Sequence, residues 1–451
     1  MTQLLESLSW VSRAELLLVG CTLALLGFAP RLERSALATS LLGLCGALAA
    51  VACGLQASGT ARFALLVVGG MLAVAMVLLQ GAELFDARQR PEASALIVIG
   101  GIGALVIVNS ATLLEIAIGI EMLSLSSATL VALGRGQRPL EAGFKYFLLS
   151  AMTFAMFLFG MALLFLASGS FGLDALTEVF GPGRGIALAG AALMVMGLAF
   201  KLALLPVHFG ALDAYSAGPA SVVGFVMFAS KLGAAAGIAK IATGAGLSVQ
   251  HMVMGAGLLT IALGVLASFA QTELRRLLAY SAVAHAGFIA VAASGKNGFE
   301  TALFYVLTYG FTALLAFAAL AGTGAAAPAD GASDERPIAR LGAGLGRVRS
   351  LALLVALLSL AGVPPLPGFW AKLAVLTVLW KTFGPVPTAL AALGGVVGVI
   401  YYLRPMPDLL AQTKQDGLPL PAGVVTALVL AGAVVLFLTV GPGWGFWLVR
   451  G

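Results

Sequence analysis

Four lysines lie inside long apolar stretches of the sequence, where a charge is energetically unfavourable. They are Lys145, Lys201, Lys231 and Lys372. A lysine at the centre of a membrane-spanning helix costs roughly 2.5–3.5 kcal/mol on insertion scales, so a functional role is the default hypothesis for each. The simpler alternative is a long side chain that reaches back to the membrane surface. Lys145 fits that alternative best, because it lies near the start of its stretch.

No arginine accompanies these lysines in apolar sequence. Arginine stays charged in every protein environment, whereas burial lets a lysine release its proton. The pattern therefore predicts groups that exchange protons, and it argues against a fixed anion-binding site.

Two further residues could share this chemistry. Glu121 lies in the middle of an apolar stretch and needs a cationic partner, for which Lys201 and Lys145 are the candidates. A paired lysine and glutamate titrate as one coupled unit. His285 could relay protons because unperturbed imidazole titrates near neutral pH, although a packing role is the alternative. Glu115 lies nearer the end of the stretch that holds Glu121, and its role is left open.

The elements that position these residues are predicted to be membrane-spanning helices. Of the 451 residues, 61% are hydrophobic and only 10% are charged, against roughly 25% charged residues in soluble domains. A bilayer core requires about 20 apolar residues per helix. Fourteen spans are predicted, over residues 14–29, 35–56, 62–85, 93–109, 111–134, 140–168, 185–209, 218–241, 247–271, 275–294, 298–322, 350–380, 385–404 and 420–447. The fold class is therefore an all-α polytopic membrane protein.

The loops between the spans carry the remaining charge. Their basic residues are about twice as frequent on one side, which predicts that both termini lie on the outer side, together with Lys240. The net charge of +6 is explained by these loops, so no nucleic-acid partner is expected. Residues 323–349 are predicted to form a flexible loop. No soluble domain remains to house a dinucleotide or phosphate site, and the three cysteines have no metal-site spacing.

Two spans contain proline-rich breaks with a lysine beside each break. In span 7, Lys201 precedes Pro206, which cannot donate to the carbonyl of Leu202. In span 12, Pro364 and Pro365 precede Lys372. Irregular backbone at membrane depth is tolerated only where it is buried or lines a water-filled cavity.

Paired broken helices mark ion pathways in transporters that contain internal repeats. The breaks are five spans apart, which predicts two inverted five-helix repeats with broken helices 7 and 12. The first repeat covers 93–241 and the second covers 247–404. They are flanked by an N-terminal three-span segment, 1–92, and by a C-terminal segment, 405–451, that holds the last span.

Seven segments of this sequence occur together, in order, between about span 4 and span 13. They are Gly119-Ile120-Glu121, Lys145-Tyr146-Phe147-Leu148-Leu149, Gly197-Leu198-Ala199-Phe200-Lys201, Ala229-Ser230-Lys231, Arg275-Arg276-Leu277-Leu278-Ala279-Tyr280-Ser281, His285-Ala286-Gly287, and Ser359-Leu360-Ala361-Gly362-Val363-Pro364-Pro365 with Gly368-Phe369-Trp370-Ala371-Lys372. This set resembles the antiporter-like membrane subunits of respiratory complex I. Within that family it is most similar to the subunit N group of bacterial NADH:quinone oxidoreductase, the counterpart of mitochondrial ND2.

The resemblance implies a proton-translocating subunit of a bacterial inner-membrane enzyme complex, with both termini on the periplasmic side. The implied partners are other membrane-arm subunits and the lipid bilayer, and redox chemistry in other subunits would drive the protons. No cofactor or redox centre is expected in this chain. The residues implied to carry the protons are Glu121, Lys145, Lys201, Lys231, His285 and Lys372.

Two alternatives stay open on the sequence alone. The first is a subunit of a multi-subunit cation/proton antiporter or membrane-bound hydrogenase, which would share the same buried charges. The identity of co-purifying partners would decide between these assemblies. The second is a structural membrane subunit that conducts nothing, and four unfavourable lysines argue against it.

Overall fold

A computed structural model describes residues 10–32, 35–80, 89–180, 185–321, 345–412 and 420–450, and these residues are predominantly helical. In chain order the helices are α1 (Trp10–Gly27), α2 (Ala29–Leu32), α3 (Ala36–Gln56), α4 (Gly59–Gln80), α5 (Arg90–Asn109), α6 (Leu113–Ala132), α7 (Gln137–Ser168), α8 (Leu176–Val179), α9 (Gly185–Leu202), α10 (Phe209–Ala217), α11 (Ala220–Ala245), α12 (Leu247–Phe269), α13 (Leu274–Ala293), α14 (Gly298–Leu320), α15 (Gly346–Ala361), α16 (Pro367–Phe383), α17 (Pro385–Leu403), α18 (Met406–Gln412), α19 (Ala422–Val440) and α20 (Pro442–Arg450).

The prediction of an all-α polytopic membrane protein is confirmed. In the described part of the chain, 12 helices are long and apolar enough to cross a membrane, and each corresponds to a predicted span. The other two predicted spans correspond to α1 and to the pair α15 and α16. The count of fourteen spans and the repeat boundaries stay predictions. Most of the predicted loop 323–349 lies outside the described residues.

Two helices, α11 and α14, form the centre of the bundle and are buried along their whole spanning length. They pack against each other, and neighbouring helices surround them. The helices α7, α12, α17 and α19 lie at the periphery, where many of their leucine, phenylalanine and valine side chains are exposed. A helix that is apolar on all sides suits a lipid-facing position in a membrane protein. Lys231 lies on α11, and the helices that carry Lys201, His285 and Lys372 pack against α11 or α14, whereas Lys145 lies on the peripheral helix α7.

Small residues allow the peripheral helices to approach this centre closely. Where α12 crosses α13, a Cβ atom on Gly257 would lie 2.9 Å from the Gly287 carbonyl oxygen. A Cβ atom on Gly264 would meet the backbone of Ala284 at the same crossing. Backbone contact of this kind is typical of helix packing in lipid. It fixes the position of α13, the helix that carries His285.

Glu115 has a structural role at the start of α6. Its Oε2 atom accepts hydrogen bonds from the backbone N–H of Ala111, at 2.6 Å, and of Thr112, at 3.1 Å. The Thr112 hydroxyl accepts in return from the backbone N–H of Glu115, which completes a capping box. The role that the sequence left open is thus explained by helix capping.

Lys240, predicted at the outer end of span 8, caps the adjacent end of α5. The residue lies within α11 and is half-buried. Its Nζ atom donates to the carbonyls of Ile107 and Ser110, at 3.1 and 2.7 Å, and to the Ser110 hydroxyl at 3.0 Å. A cation is favourable at a helix C-terminus, where backbone carbonyls lack intrahelical partners. Long apolar flanks concealed this contact in the sequence.

Candidate functional site

The first helix break follows Leu202, the last residue of α9. Ala203 adopts a left-handed conformation, with φ of 68°. Its N–H donates to the Phe200 carbonyl, and the N–H of Leu204 donates to the Ala199 carbonyl at 2.8 Å. These two bonds satisfy carbonyls of the last helical turn and leave the Leu202 carbonyl to find another donor.

Lys231 supplies that donor from α11. Its Nζ atom lies 2.8 Å from the Leu202 carbonyl oxygen and 3.1 Å from the carbonyl oxygen of Ala282 in α13. The lysine is fully buried, and its ammonium lies 6.0 and 5.6 Å from the ring centroids of Tyr215 and Tyr309. Sequence reasoning had placed the freed carbonyl near Lys201. The structure instead connects it to Lys231, which thereby joins the first break to α13.

Lys201 points away from the break, toward α7. Its Nζ atom donates to the Tyr146 hydroxyl at 3.3 Å and lies 4.6 Å from the centroid of the same ring. Only 1% of the residue is exposed. Such an aromatic environment stabilises an ammonium through the ring quadrupole.

Glu121 is half-buried on α6 and interacts electrostatically with Lys201. It forms no direct ion pair with Lys201 or with Lys145 among the described residues. The predicted pairing of Glu121 with one of these lysines is therefore present only as a longer-range interaction with Lys201. Beyond ion-pair distance, the attraction between a carboxylate and an ammonium group is weaker than in direct contact.

Lys145 is not buried within this chain, contrary to the expectation for a relay lysine. Its side chain is 49% exposed and forms ion pairs with Glu141, at 2.6 Å, and with Asp213, at 3.6 Å. Glu141 precedes it by one helical turn on α7, a spacing that brings two side chains together. Asp213 reaches it from α10, the short helix after the first break. The physical reason for its exposure is that α7 lies at the periphery of the bundle.

The second break follows Ala361, the last residue of α15. Gly362 adopts the left-handed conformation here, with φ of 84°, and its N–H donates to the carbonyls of Leu358 and Ser359. Lys372, one turn and a half into α16, folds back over the break. Its Nζ atom donates to the carbonyls of Leu360 and Ala361, at 3.1 and 2.7 Å. As at the first break, an ammonium group caps the C-terminal end of a half-helix.

His285 lies between the two breaks, in the middle of α13. Its Nδ1 atom is 2.8 Å from the Tyr305 hydroxyl, and its Nε2 atom is 3.0 Å from the Tyr402 hydroxyl. The imidazole is 5% exposed and packs against the ring of Tyr309. Both ring nitrogens are therefore engaged in either protonation state, because hydroxyl groups both donate and accept.

A small cavity connects His285 with the second break. Its polar lining comes from the histidine, from tyrosines and threonines of α14, and from Ser359 of α15. Leu360, whose carbonyl accepts a hydrogen bond from Lys372, also lines it. The Thr312 and Ser359 hydroxyls lie 3.2 Å apart and complete the polar path. The geometry thus brings Lys231, His285 and Lys372 around one polar core.

Sequence reasoning missed the tyrosines that contact these groups. Tyr305 and Tyr309 are four residues apart in an apolar span, a spacing that places both hydroxyls on one helix face. That spacing was the available signal. His208, the other histidine near a break, is buried against Phe209 and contacts none of the lysines in the described structure. The described residues contain no group of three or more His, Cys, Asp and Glu side chains that could hold a metal ion.

Comparison with known proteins places this geometry in a family. Residues 110–398 match the family model described as NADH:quinone oxidoreductase/Mrp antiporter, transmembrane. NADH-quinone oxidoreductase subunit N of Geobacter metallireducens is 35% identical over 364 residues, which cover 78% of this chain and 76% of that protein.

Two solved structures share the architecture. A chain of respiratory complex I from Thermus thermophilus with bound aureothin superposes with a TM-score of 0.81 and 30% identity, covering 97% of this chain and 100% of that chain. A chain of the archaeal membrane-bound sulfane sulfur reductase also has a TM-score of 0.81, at 21% identity, covering 97% of this chain and 96% of that chain. The second likeness extends to the fold alone.

Proposed function

The chain belongs to the NADH:quinone oxidoreductase/Mrp antiporter transmembrane family, and from this we propose that it is a proton-translocating subunit in the membrane arm of NADH:quinone oxidoreductase. Relatives named subunit N and the complex I chain support this choice over an antiporter or hydrogenase subunit. The proposed location is the bacterial inner membrane, beside other membrane-arm subunits, with both termini on the periplasmic side. The two five-helix repeats, 93–241 and 247–404, are proposed to form its two halves.

The proposed carriers are the buried lysines and the histidine. Lys201 holds a proton beside Tyr146, with Glu121 favouring its charged form. Lys231 and His285 pass charge across the centre of the bundle, and Lys372 holds the proton at the second break. Lys145, exposed beside Glu141 and Asp213, is proposed to act at the surface of the relay.

One observation carries this proposal. The ammonium of Lys231 contacts the end of α9 and also the Ala282 carbonyl, three residues before His285 on α13. Among the described residues no carboxylate forms an ion pair with Lys231, and a lysine, unlike an arginine, is able to exchange its proton. The group that joins the first break to the histidine is thus also one that can lose its charge.

The same arrangement suggests how protons advance singly. Two positive charges close together in a medium of low dielectric repel each other strongly. A proton on Lys231 therefore opposes a second proton on His285 until the first has moved or been compensated. Redox energy released in other subunits is proposed to shift this balance, and this chain is expected to bind no NADH, flavin, iron–sulfur cluster or quinone.

The test is Lys201→Ala in the assembled complex, reconstituted into vesicles. The expected result is a loss of proton translocation, measured with a pH-sensitive dye during NADH oxidation and compared with the quinone reductase rate. Lys381→Ala is the matched control, because this lysine is exposed on α16. Unchanged translocation and unchanged quinone reductase activity in the Lys201 variant would refute the proposal.

A further inference from the structure

The helix α20 follows the spanning helix α19 and lies against one end of the bundle. It contacts α19, α4 and the central helix α14. Gly445 is buried, and a Cβ atom there would meet the ring of Phe304 on α14. Leu448 also packs against the core. One face of this helix, which has nine residues, is therefore fixed to the protein.

The opposite face of α20 presents two tryptophans. Trp444 is 46% exposed and Trp447 is 58% exposed. The Trp444 ring packs against Phe437 of α19, with the ring centroids 4.5 Å apart. Because α20 begins directly after a spanning helix ends, these rings lie at the membrane surface. Tryptophan is enriched there, since its apolar ring contacts lipid while its N–H group finds a polar partner.

Arg62, at the start of α4, places a positive charge beside the tryptophans. Its guanidinium carbon lies 5.4 Å from the centroid of the Trp447 ring, and its Nε atom donates to the Ala57 carbonyl at 2.8 Å. Among the described residues no carboxylate forms an ion pair with Arg62. A guanidinium group that is held by one ring and one hydrogen bond keeps further N–H groups for an anion, and phosphate matches their planar geometry.

An exposed apolar strip on α19 leads up to the tryptophans. Val429, Leu436 and Val440 are 62%, 61% and 79% exposed, and their spacing places them on one face of the helix. We call these three residues the α19 strip. It ends at Val440, directly before α20. An apolar strip, two indole rings and a cation therefore follow one another, which is the order of groups that an acyl chain, a glycerol backbone and a phosphate require.

We propose that Arg62, Trp444 and Trp447 form a binding site for an anionic phospholipid, with the α19 strip in contact with its acyl chain. The lipid phosphate accepts hydrogen bonds from the Arg62 guanidinium group, and the indole rings lie at the level of the glycerol. In the orientation predicted from the loop charges, this lipid belongs to the outer leaflet. The site requires only that the chain spans a membrane, and it does not depend on proton translocation.

The experiment uses the assembled complex, reconstituted in vesicles that contain phosphatidylglycerol with a photoreactive group on its acyl chain. After illumination, mass spectrometry quantifies the label on peptides from 422–450. We expect this segment to be labelled, and to be labelled about fivefold less by photoreactive phosphatidylcholine, which has the same acyl chains and no net charge. Arg62→Gln should lower the labelling by phosphatidylglycerol by about the same factor and leave the labelling by phosphatidylcholine unchanged.

Lys296→Gln is the matched control for the loss of a positive charge. Lys296 is exposed and lies just before α14, at the end of the bundle where α20 packs. Labelling of 422–450 should be the same in this variant as in the unmodified complex. Trp447→Leu tests the ring separately and should lower labelling by both lipids, because it removes an interfacial anchor. Native electrophoresis checks the assembly of each variant.

Three results would overturn the site. The first is equal labelling of the unmodified complex by the two lipids, and the second is unchanged phosphatidylglycerol labelling in Arg62→Gln. The third is an unlabelled segment 422–450 that cross-links to another subunit, which would assign this face to a protein neighbour. Where Arg62→Gln fails to assemble, Trp447→Leu decides, and unchanged labelling by both lipids in that variant would overturn the site.

Discussion

At both helix breaks a lysine ammonium group donates to carbonyls that end a half-helix, but the two lysines come from different helices. At the first break the ammonium comes from Lys231, on a neighbouring helix, and it also contacts α13. At the second break it comes from Lys372, on the second half of the same broken span; it donates to two carbonyls of α15 and lies 5.7 Å from the ring centroid of Phe288 on α13. The residue after each half-helix differs as well: Ala203 and Gly362 both adopt a left-handed conformation that favours glycine, but only the second break has a glycine there.

The two breaks look alike in the sequence, but their lysines connect different helices. The first break is tied to the rest of the bundle, so a change of charge at Lys231 alters contacts between two helices. The second break is hydrogen-bonded within its own span, so a change at Lys372 alters hydrogen bonds between the two halves of that span. Both breaks thus have a lysine ammonium group beside them. The carbonyls to which that group donates decide whether it links separate helices or the two halves of one span.

The largest expected effect comes from Lys231→Arg. An arginine keeps the positive charge that caps α9 but cannot release a proton. We expect assembly to be retained and proton translocation to fall by about tenfold or more. Lys372→Arg should reduce translocation less, because Lys372 is half-buried whereas Lys231 is completely buried. Dye-based pumping assays on both variants, with assembly checked by native electrophoresis, test this order. Equal losses would remove the distinction between the breaks.

Gly362→Ala should have the next largest effect. A Cβ atom there would lie 3.0 Å from Lys372 Cδ and 3.2 Å from its Nζ, and the left-handed backbone adds strain. We expect the ammonium to move from the Leu360 and Ala361 carbonyls, with a several-fold loss of translocation.

Ala203→Gly is the opposite change at the first break and should relieve strain of about 1–2 kcal/mol. It should therefore leave pumping intact and raise the thermal stability, and a fall in stability would contradict this account.

Glu121→Gln should have a smaller effect, confined to the first half of the relay. Because the carboxylate influences Lys201 at long range and forms no direct ion pair with it in the described structure, its loss removes a modest stabilisation of the charged lysine. We expect translocation to fall less than in Lys201→Ala, by a few-fold. Pumping ratios of the two variants, measured side by side, check this. A complete loss in Glu121→Gln would indicate that the carboxylate itself carries the proton.

The smallest effect on translocation is expected for Glu115→Ala, because Glu115 lies in the first turn of α6, away from both breaks. The change removes the capping box at the start of α6 and should lower stability by about 0.5–2 kcal/mol. The number of protons translocated per NADH should not change. Thermal unfolding of the purified complex and the pumping ratio provide the two measurements. A lower ratio at unchanged stability would give Glu115 a role that its contacts do not suggest.

Much of this architecture follows from local sequence. Apolar length predicted the spans, and proline positions predicted both breaks, because each acts within one helix. The partners of the charges did not follow, since they depend on which helices meet. The carbonyl of Leu202 was correctly predicted to be free, but Lys231 is 29 residues away along the chain. The exposure of Lys145 was indicated only by its position near the start of an apolar stretch, because composition does not reveal which apolar helix lies at the periphery.

The hydrogen bonds of His285 impose a sequence of events on any proton that crosses it. A neutral imidazole has one N–H and one lone pair, so one tyrosine hydroxyl must donate while the other accepts. When a proton arrives at one nitrogen and another leaves from the opposite nitrogen, the tautomer is reversed. The ring and the hydroxyls of Tyr305 and Tyr402 must then reorient before a second proton can follow in the same direction. In the proposed relay, the histidine would therefore pass one proton for each reorientation of the ring and its two hydroxyl partners.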